Sequence, residues 1–145
     1  MYNGLLHAHS GLRWLVLILL IAAIFNAFSK KKNGTWTPKD RKLSAMAMGL
    51  VHLQFVIGLV LYFISPKVSF TEGFMQSSVL RFFAVEHVLG MLIAIALISI
   101  GHSKAKKAAT DAKKFGAIST FFLIGLIIIL ASIPWPFRNL GSAWF

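Results

Sequence analysis

The sequence predicts an all-α integral membrane protein, a four-helix up-down-up-down bundle with both termini on the outer side. Three observations carry that reading. Four apolar runs are each long enough to cross a bilayer, and two short lysine-rich loops alternate with a loop poor in positive charge. Over 145 residues the chain is 57% hydrophobic and only 13% charged, where a soluble domain carries about 25% charged residues. The whole chain, 1–145, reads as one transmembrane domain.

The first span covers about residues 5–28 and stops at Ser29-Lys30-Lys31-Lys32-Asn33-Gly34. The second covers about 43–64 and stops at Ser65-Pro66, because proline cannot continue a helix without losing a hydrogen bond. The third covers about 79–101, and the fourth about 115–133, closed by Pro134-Trp135-Pro136. Runs of about 19–24 residues at about 1.5 Å per residue match roughly 30 Å of hydrocarbon. The N-terminus, Met1-Tyr2-Asn3-Gly4, lacks the basic stretch of a cleaved signal peptide, so the first span is expected to stay in the mature protein.

The loops set the orientation. Residues 30–42 carry Lys30, Lys31, Lys32, Lys39, Arg41 and Lys42 against Asp40. Residues 102–114 carry Lys104, Lys106, Lys107, Lys113 and Lys114 against Asp111. The other side offers Lys67, Arg81 and Arg138. The positive-inside rule places both basic loops in the cytoplasm, with Tyr2, Tyr62, Trp135 and Trp144 as ring anchors at the outer interface. Short connections favour antiparallel neighbours. The segment 67–78 turns at Thr71-Glu72-Gly73 and has the spacing of neither a phosphate loop nor a nucleophile elbow.

Composition excludes several functions. The formal net charge of +11 sits in loops between apolar runs, so it is a topology signal and no nucleic-acid partner is expected. The chain has no cysteine, which rules out thiolate-held iron–sulfur clusters, covalently attached c-type haem and cysteine nucleophiles. Any redox cofactor must be held by histidine or another non-thiol ligand. No nucleophile or acid–base constellation appears in an aqueous loop, so a redox carrier is a better expectation than an enzyme with its own substrate pocket.

Polar groups inside the apolar runs are the functional signal. Glu86-His87 lies within the third span, and an ionised carboxylate in hydrocarbon costs about 2.5–3.5 kcal/mol on insertion scales. Counting up from the basic ends, Arg13, Glu86 and His87 fall at roughly 22–24 Å, His52 at about 15 Å and His9 at about 28 Å. Arg13 and Glu86 are therefore expected to form an intramembrane ion pair, the alternative for Arg13 being to snorkel to the outer headgroups. His87 shares a helical stripe with Gly90, Ala94 and Gly101, and His52 follows Ala45 and Gly49. Small residues beside a histidine leave room for a flat macrocycle, and equally let helices pack with no cofactor. His7 is at the surface, and His102 is expected at the basic interface without a ligand role.

The motifs His9-Ser10-Gly11-Leu12-Arg13-Trp14, Leu80-Arg81-Phe82-Phe83 with Glu86-His87, Ile100-Gly101-His102-Ser103-Lys104 and Ser132-Ile133-Pro134-Trp135-Pro136-Phe137-Arg138 resemble short four-span membrane proteins of Bacteroidota labelled cytochrome b-like. More distantly the chain is similar to the bacterial cytochrome b561 family. That resemblance implies haem b, quinone chemistry and electron transfer in the bacterial cytoplasmic (inner) membrane. The fourth span has no histidine, so only His9, His52 and His87 carry over as candidate ligands to haem iron, with Arg13 and Trp14 near the propionates. The sequence-based expectation is a small b-type cytochrome, or a haem-bearing subunit of a respiratory complex. His87 is one axial ligand and His52 or His9 the other. The first rival is a haem-free accessory or assembly subunit that packs against partner subunits in the bilayer. A second rival, a metal or proton pathway through His9, His52, Glu86 and His87, has few hydroxyls to line it.

Overall fold

Each apolar run folds as a helix. Helix α1 is Tyr2–Lys30, α2 Pro38–Ile64, α3 Ser78–Lys107 and α4 Asp111–Ser132, and all four are long and apolar enough to cross a membrane. The structure, a computed structural model, describes residues 1–144; among these there is no strand, and short 3-10 turns lie at Phe74–Gln76 and Pro136–Arg138. Large apolar side chains such as Leu15, Phe25, Val56, Phe63 and Leu92 point outward. Helices apolar on every face are stable only where lipid or protein surrounds them, so this is a multi-pass membrane protein in contact with a bilayer.

The helices overrun the apolar runs at their lysine-rich ends. Helix α3 continues past 101 to Lys107, α4 begins at Asp111 instead of 115, and the connection between them shrinks to residues 108–110. Lysine, arginine and alanine are strong helix formers, so charge ends the apolar run without ending the helix. Caps do that instead. Pro38 occupies the first turn of α2, where its missing N–H is no loss, and the Asp40 carboxylate accepts from the Thr37 backbone N–H and hydroxyl, both at 2.8 Å. Thr110 accepts from the Lys113 N–H at the start of α4. Asp40 also takes hydrogen bonds from Lys30 and Asn26, each at 2.8 Å, which ties the end of α1 to the beginning of α2.

Contacts pair the helices in opposite chain order. Tyr2 meets Ser65, the Gln54 amide donates to the His9 carbonyl, and Asn26 meets Asp40. Tyr62 donates to the Ala84 carbonyl, His52 meets Ser99, and Ser44 meets His102. The closest helix approach is between α3 and α4. A Cβ added at Gly101 would lie 2.5 Å from Phe121 Cβ, and one at Gly125 2.7 Å from Ile98 Cγ1. In lipid, where apolar side chains gain nothing by leaving solvent, such close backbone packing holds helices together. The core runs along α1 and α4 through Val16, Leu20, Ala23, Phe115, Phe122 and Ile129. Helices α2 and α3 bury a smaller share of their residues, and an internal cavity opens beside them at the end away from the lysines.

Candidate cofactor site

His87 enters the site through a break in α-helical geometry. Residues Phe82–Glu86 form a π turn, and the His87 N–H bonds to the Phe82 carbonyl five residues back. A π turn inserts an extra residue into the helical winding and re-aims the side chains beyond it, which is why such turns recur at functional sites. Tyr62 of α2 donates to the Ala84 carbonyl within the turn, at 2.9 Å. The His87 imidazole is fixed from α4, its Nδ1 lying 2.7 Å from the Ser132 carbonyl oxygen. A carbonyl only accepts, so Nδ1 carries the proton and Nε2 holds the lone pair. That tautomer, pinned by a backbone carbonyl, is the one a metal-ligating histidine needs.

His9 of α1 faces His87. The ring centroids are 6.4 Å apart and the planes meet at 76°. His9 is lodged against the backbone of α2 at Gly58, where an added Cβ would stand 2.9 Å from its Cε1. Its Nδ1 is buried and has no hydrogen-bond partner. Two imidazoles bound on opposite sides of one metal, each at about 2.0–2.1 Å, bring their ring centres about 6 Å apart. The observed separation fits that donor set. Among the described residues no group of three or more His, Cys, Asp or Glu gathers to hold a metal ion. The two imidazoles are thus the histidine donors that stand together here.

Both rings line a cavity of about 150 Å³ that Gln54, Arg13, Tyr62 and Ser65 also border. The Gln54 side-chain oxygen and Arg13 Nε are buried there without partners, as is His9 Nδ1. Leaving a buried polar atom unpaired costs about 1–3 kcal/mol, so three around one cavity point to a ligand. The free volume is below the roughly 300–1,000 Å³ of pockets that take drug-sized ligands, so a macrocycle needs more room than the cavity has as it stands.

The rim at the end away from the lysines is built by the C-terminal segment. Arg13 donates to the Trp144 carbonyl oxygen and sits 5.4 Å from the Trp14 ring centre and 5.7 Å from that of Trp135. Trp14 donates to the same carbonyl at 3.3 Å. Lys67 donates to the Gly141 carbonyl and lies 4.9 Å over the Phe83 ring. Burial there pushes the Lys67 ammonium below the usual lysine range.

The structure brings His9, His87 and Arg13 to one cavity, sets Trp14 beside Arg13 outside that lining, and leaves two expected partners out. His52 is exposed on the lipid side of α2, its Nδ1 2.8 Å from the Met48 carbonyl and its Nε2 3.3 Å from Ser99. It stands about 21 Å from the start of α2, whereas His9 and His87 stand about 30–32 Å from the ends of α1 and α3. The mismatch in depth that the apolar runs imply for His9 and His87 disappears because α3 runs six residues further than its apolar stretch.

The expected Arg13–Glu86 ion pair is not what forms. Glu86 is exposed and pairs with Arg81 at 2.7 Å, and Arg81 also donates to the Met75 carbonyl. Neighbouring helical residues diverge by about 100°, so turning His87 inward turns Glu86 out. Arg13 also lies about 6 Å below Glu86 once the true helix ends are used. His102, expected at the interface, is buried against Ser44 at 3.2 Å.

Gln54, Gly58, Ser132, Lys67 and Trp144 shape the site, although the sequence named none of them as site residues. Gln54 carried a readable signal, an amide inside an apolar span. The others act through a missing side chain, a backbone carbonyl or a loop position, none of which a hydropathy pattern reveals.

Comparison with family models, curated proteins and solved structures finds no match to this chain. The site therefore stands on its own geometry.

Proposed function

We propose that this chain is a small b-type haem protein of the bacterial cytoplasmic membrane, an electron carrier or the haem-bearing subunit of a respiratory complex. In this reading it is an up-down-up-down bundle with both termini outside and the lysine-rich ends in the cytoplasm. His9 and His87 are the side chains that would hold the haem iron. The observation that supports it best is their 6.4 Å separation across a cavity, with His87 locked in the ligating tautomer by Ser132.

When bound, haem supplies a one-electron redox centre. The chain's own residues then have separate tasks. Ser132 holds the His87 ring in place and raises the basicity of its Nε2. Gly58 leaves the space in which the His9 ring stands. Arg13, with Nε unpartnered, offers a cation at the outer rim for a carboxylate, and its positive charge favours the more reduced state of a nearby centre. Trp14 and Trp135 screen that cation from lipid.

The test is the absorption spectrum of purified protein, expressed with adequate haem supply, before and after dithionite. A Soret band that sharpens on reduction, lost in His9→Ala and His87→Ala but kept in His52→Ala, is the expected result. A colourless wild type, or loss only in His52→Ala, overturns the assignment.

The small free volume favours one alternative, a haem-free accessory subunit in which these polar groups set helix register beside partner subunits. Copurification of colourless protein with a larger membrane complex is its signature.

A further inference from the structure

At the lysine-rich end, away from His9 and His87, a groove of about 570 Å³ lies between the last turns of α3 and the first turns of α4. Three cations border it, Lys104 and Lys107 from α3 and Lys113 from α4, all exposed. No aspartate or glutamate is among its described lining residues. The lining between the helices is small at Ala108 and Ala117, and Gly116 borders the groove on the side that faces Lys31 at the end of α1.

Its floor changes character with depth. Ile100 and Phe121 form the end nearer the apolar run, with Lys104 Nζ 5.8 Å over the Phe121 ring. Ser103 and Thr120 add exposed hydroxyls beside the lysines. A ligand that fits carries negative charge at one end and hydrocarbon at the other, in the order the membrane interface presents them. Basic pockets between transmembrane helices suit acidic headgroups, and each lysine near such a surface contributes about 1 kcal/mol.

We propose that this groove is a binding site for one acidic glycerophospholipid. The phosphate sits among Lys104, Lys107 and Lys113, hydrogen-bonded by Ser103 or Thr120, and an acyl chain lies along Ile100 and Phe121. The site depends on the chain spanning a bilayer and is independent of haem.

The charge could instead act as a diffuse field, as any polybasic loop does, so the test compares two sets of substitutions with equal charge loss. One set is Lys104→Gln, Lys107→Gln and Lys113→Gln; the other is Lys32→Gln, Lys39→Gln and Lys42→Gln, on exposed residues outside the groove. Each protein is placed in vesicles of phosphatidylcholine with one part in ten spin-labelled phosphatidylglycerol, and the immobilised lipid fraction is read by electron paramagnetic resonance. Wild type and the second set should retain phosphatidylglycerol at least fivefold over labelled phosphatidylcholine, and the groove set should lose that preference. Equal losses in both sets, or no preference in wild type, overturn the site. So does displacement by millimolar inorganic phosphate, which would mark an anion site without a lipid requirement. Thermal unfolding in neutral detergent confirms that both sets fold, and the single variant Thr120→Leu, which fills the groove without changing charge, should lower the preference on its own.

Discussion

Replacing Gly58 by alanine tests the placement of His9 directly. The added Cβ would stand 2.9 Å from His9 Cε1, 3.6 Å from Nδ1 and 3.7 Å from Nε2. Carbon atoms rest at about 3.5–4.0 Å, so the ring must retreat by roughly 0.6–1 Å. Its way out is into the cavity that it lines with His87. Overpacking of this kind costs about 1–3 kcal/mol, and with a cavity to receive the ring the lower end applies. Against it stands the gain of about 0.8–1.0 kcal/mol for replacing glycine by alanine within a helix. Gly49 on the same helix is the control, since its added Cβ meets nothing within 4 Å. Gly49→Ala should therefore stabilise the protein by up to about 1 kcal/mol, while Gly58→Ala should leave stability near wild type.

The assay is equilibrium unfolding in mixed micelles, followed by tryptophan fluorescence. A third protein, Gly58→Ala with His9→Ala, completes a double-mutant cycle, and the two substitutions should couple by about 1 kcal/mol because removing the ring removes the clash. Gly58→Ala as stable as Gly49→Ala, with no coupling to His9, would refute the placement. In haem-loaded protein Gly58→Ala should also weaken the Soret band, because the His9 ring is displaced from its position beside His87.

Two further outcomes rest on the fold. Asp40→Ala removes a carboxylate that caps α2 and binds Lys30 and Asn26, and should destabilise by about 2 kcal/mol in the same unfolding assay; a change below about 0.5 kcal/mol would contradict the network. Arg81→Ala and Glu86→Ala should couple by about 0.2–1 kcal/mol, as a partly exposed pair does, whereas Arg13→Ala and Glu86→Ala should be additive. Coupling of Glu86 to Arg13 instead would reverse that pairing.

The division between what could be read and what could not tracks the range of each interaction. Hydropathy and proline placement are properties of adjacent residues, so four spans and their proline-bounded ends were legible. The lysine-rich ends were not, because charge terminates an apolar run and leaves the helix free to continue to Lys107. Depth counted from the apolar runs inherits that offset, separating His9 from His87 by about a turn. It also makes Glu86 look level with Arg13.

The π turn at Phe82–Glu86 contains neither glycine nor proline, and nothing in its sequence announces it. Yet it sets the direction in which His87 points.

By itself, then, the sequence determined that the chain is helical, that it crosses a membrane four times and that histidines lie within reach of its interior, because composition and period act along the chain. Only tertiary structure decided that His9 rather than His52 faces His87, that Ser132 fixes the ring and that Glu86 turns to Arg81. Those outcomes depend on helix phase and on depth to within a few ångströms. Both are set by where α-helical winding slips and by which small residues let neighbouring backbones approach.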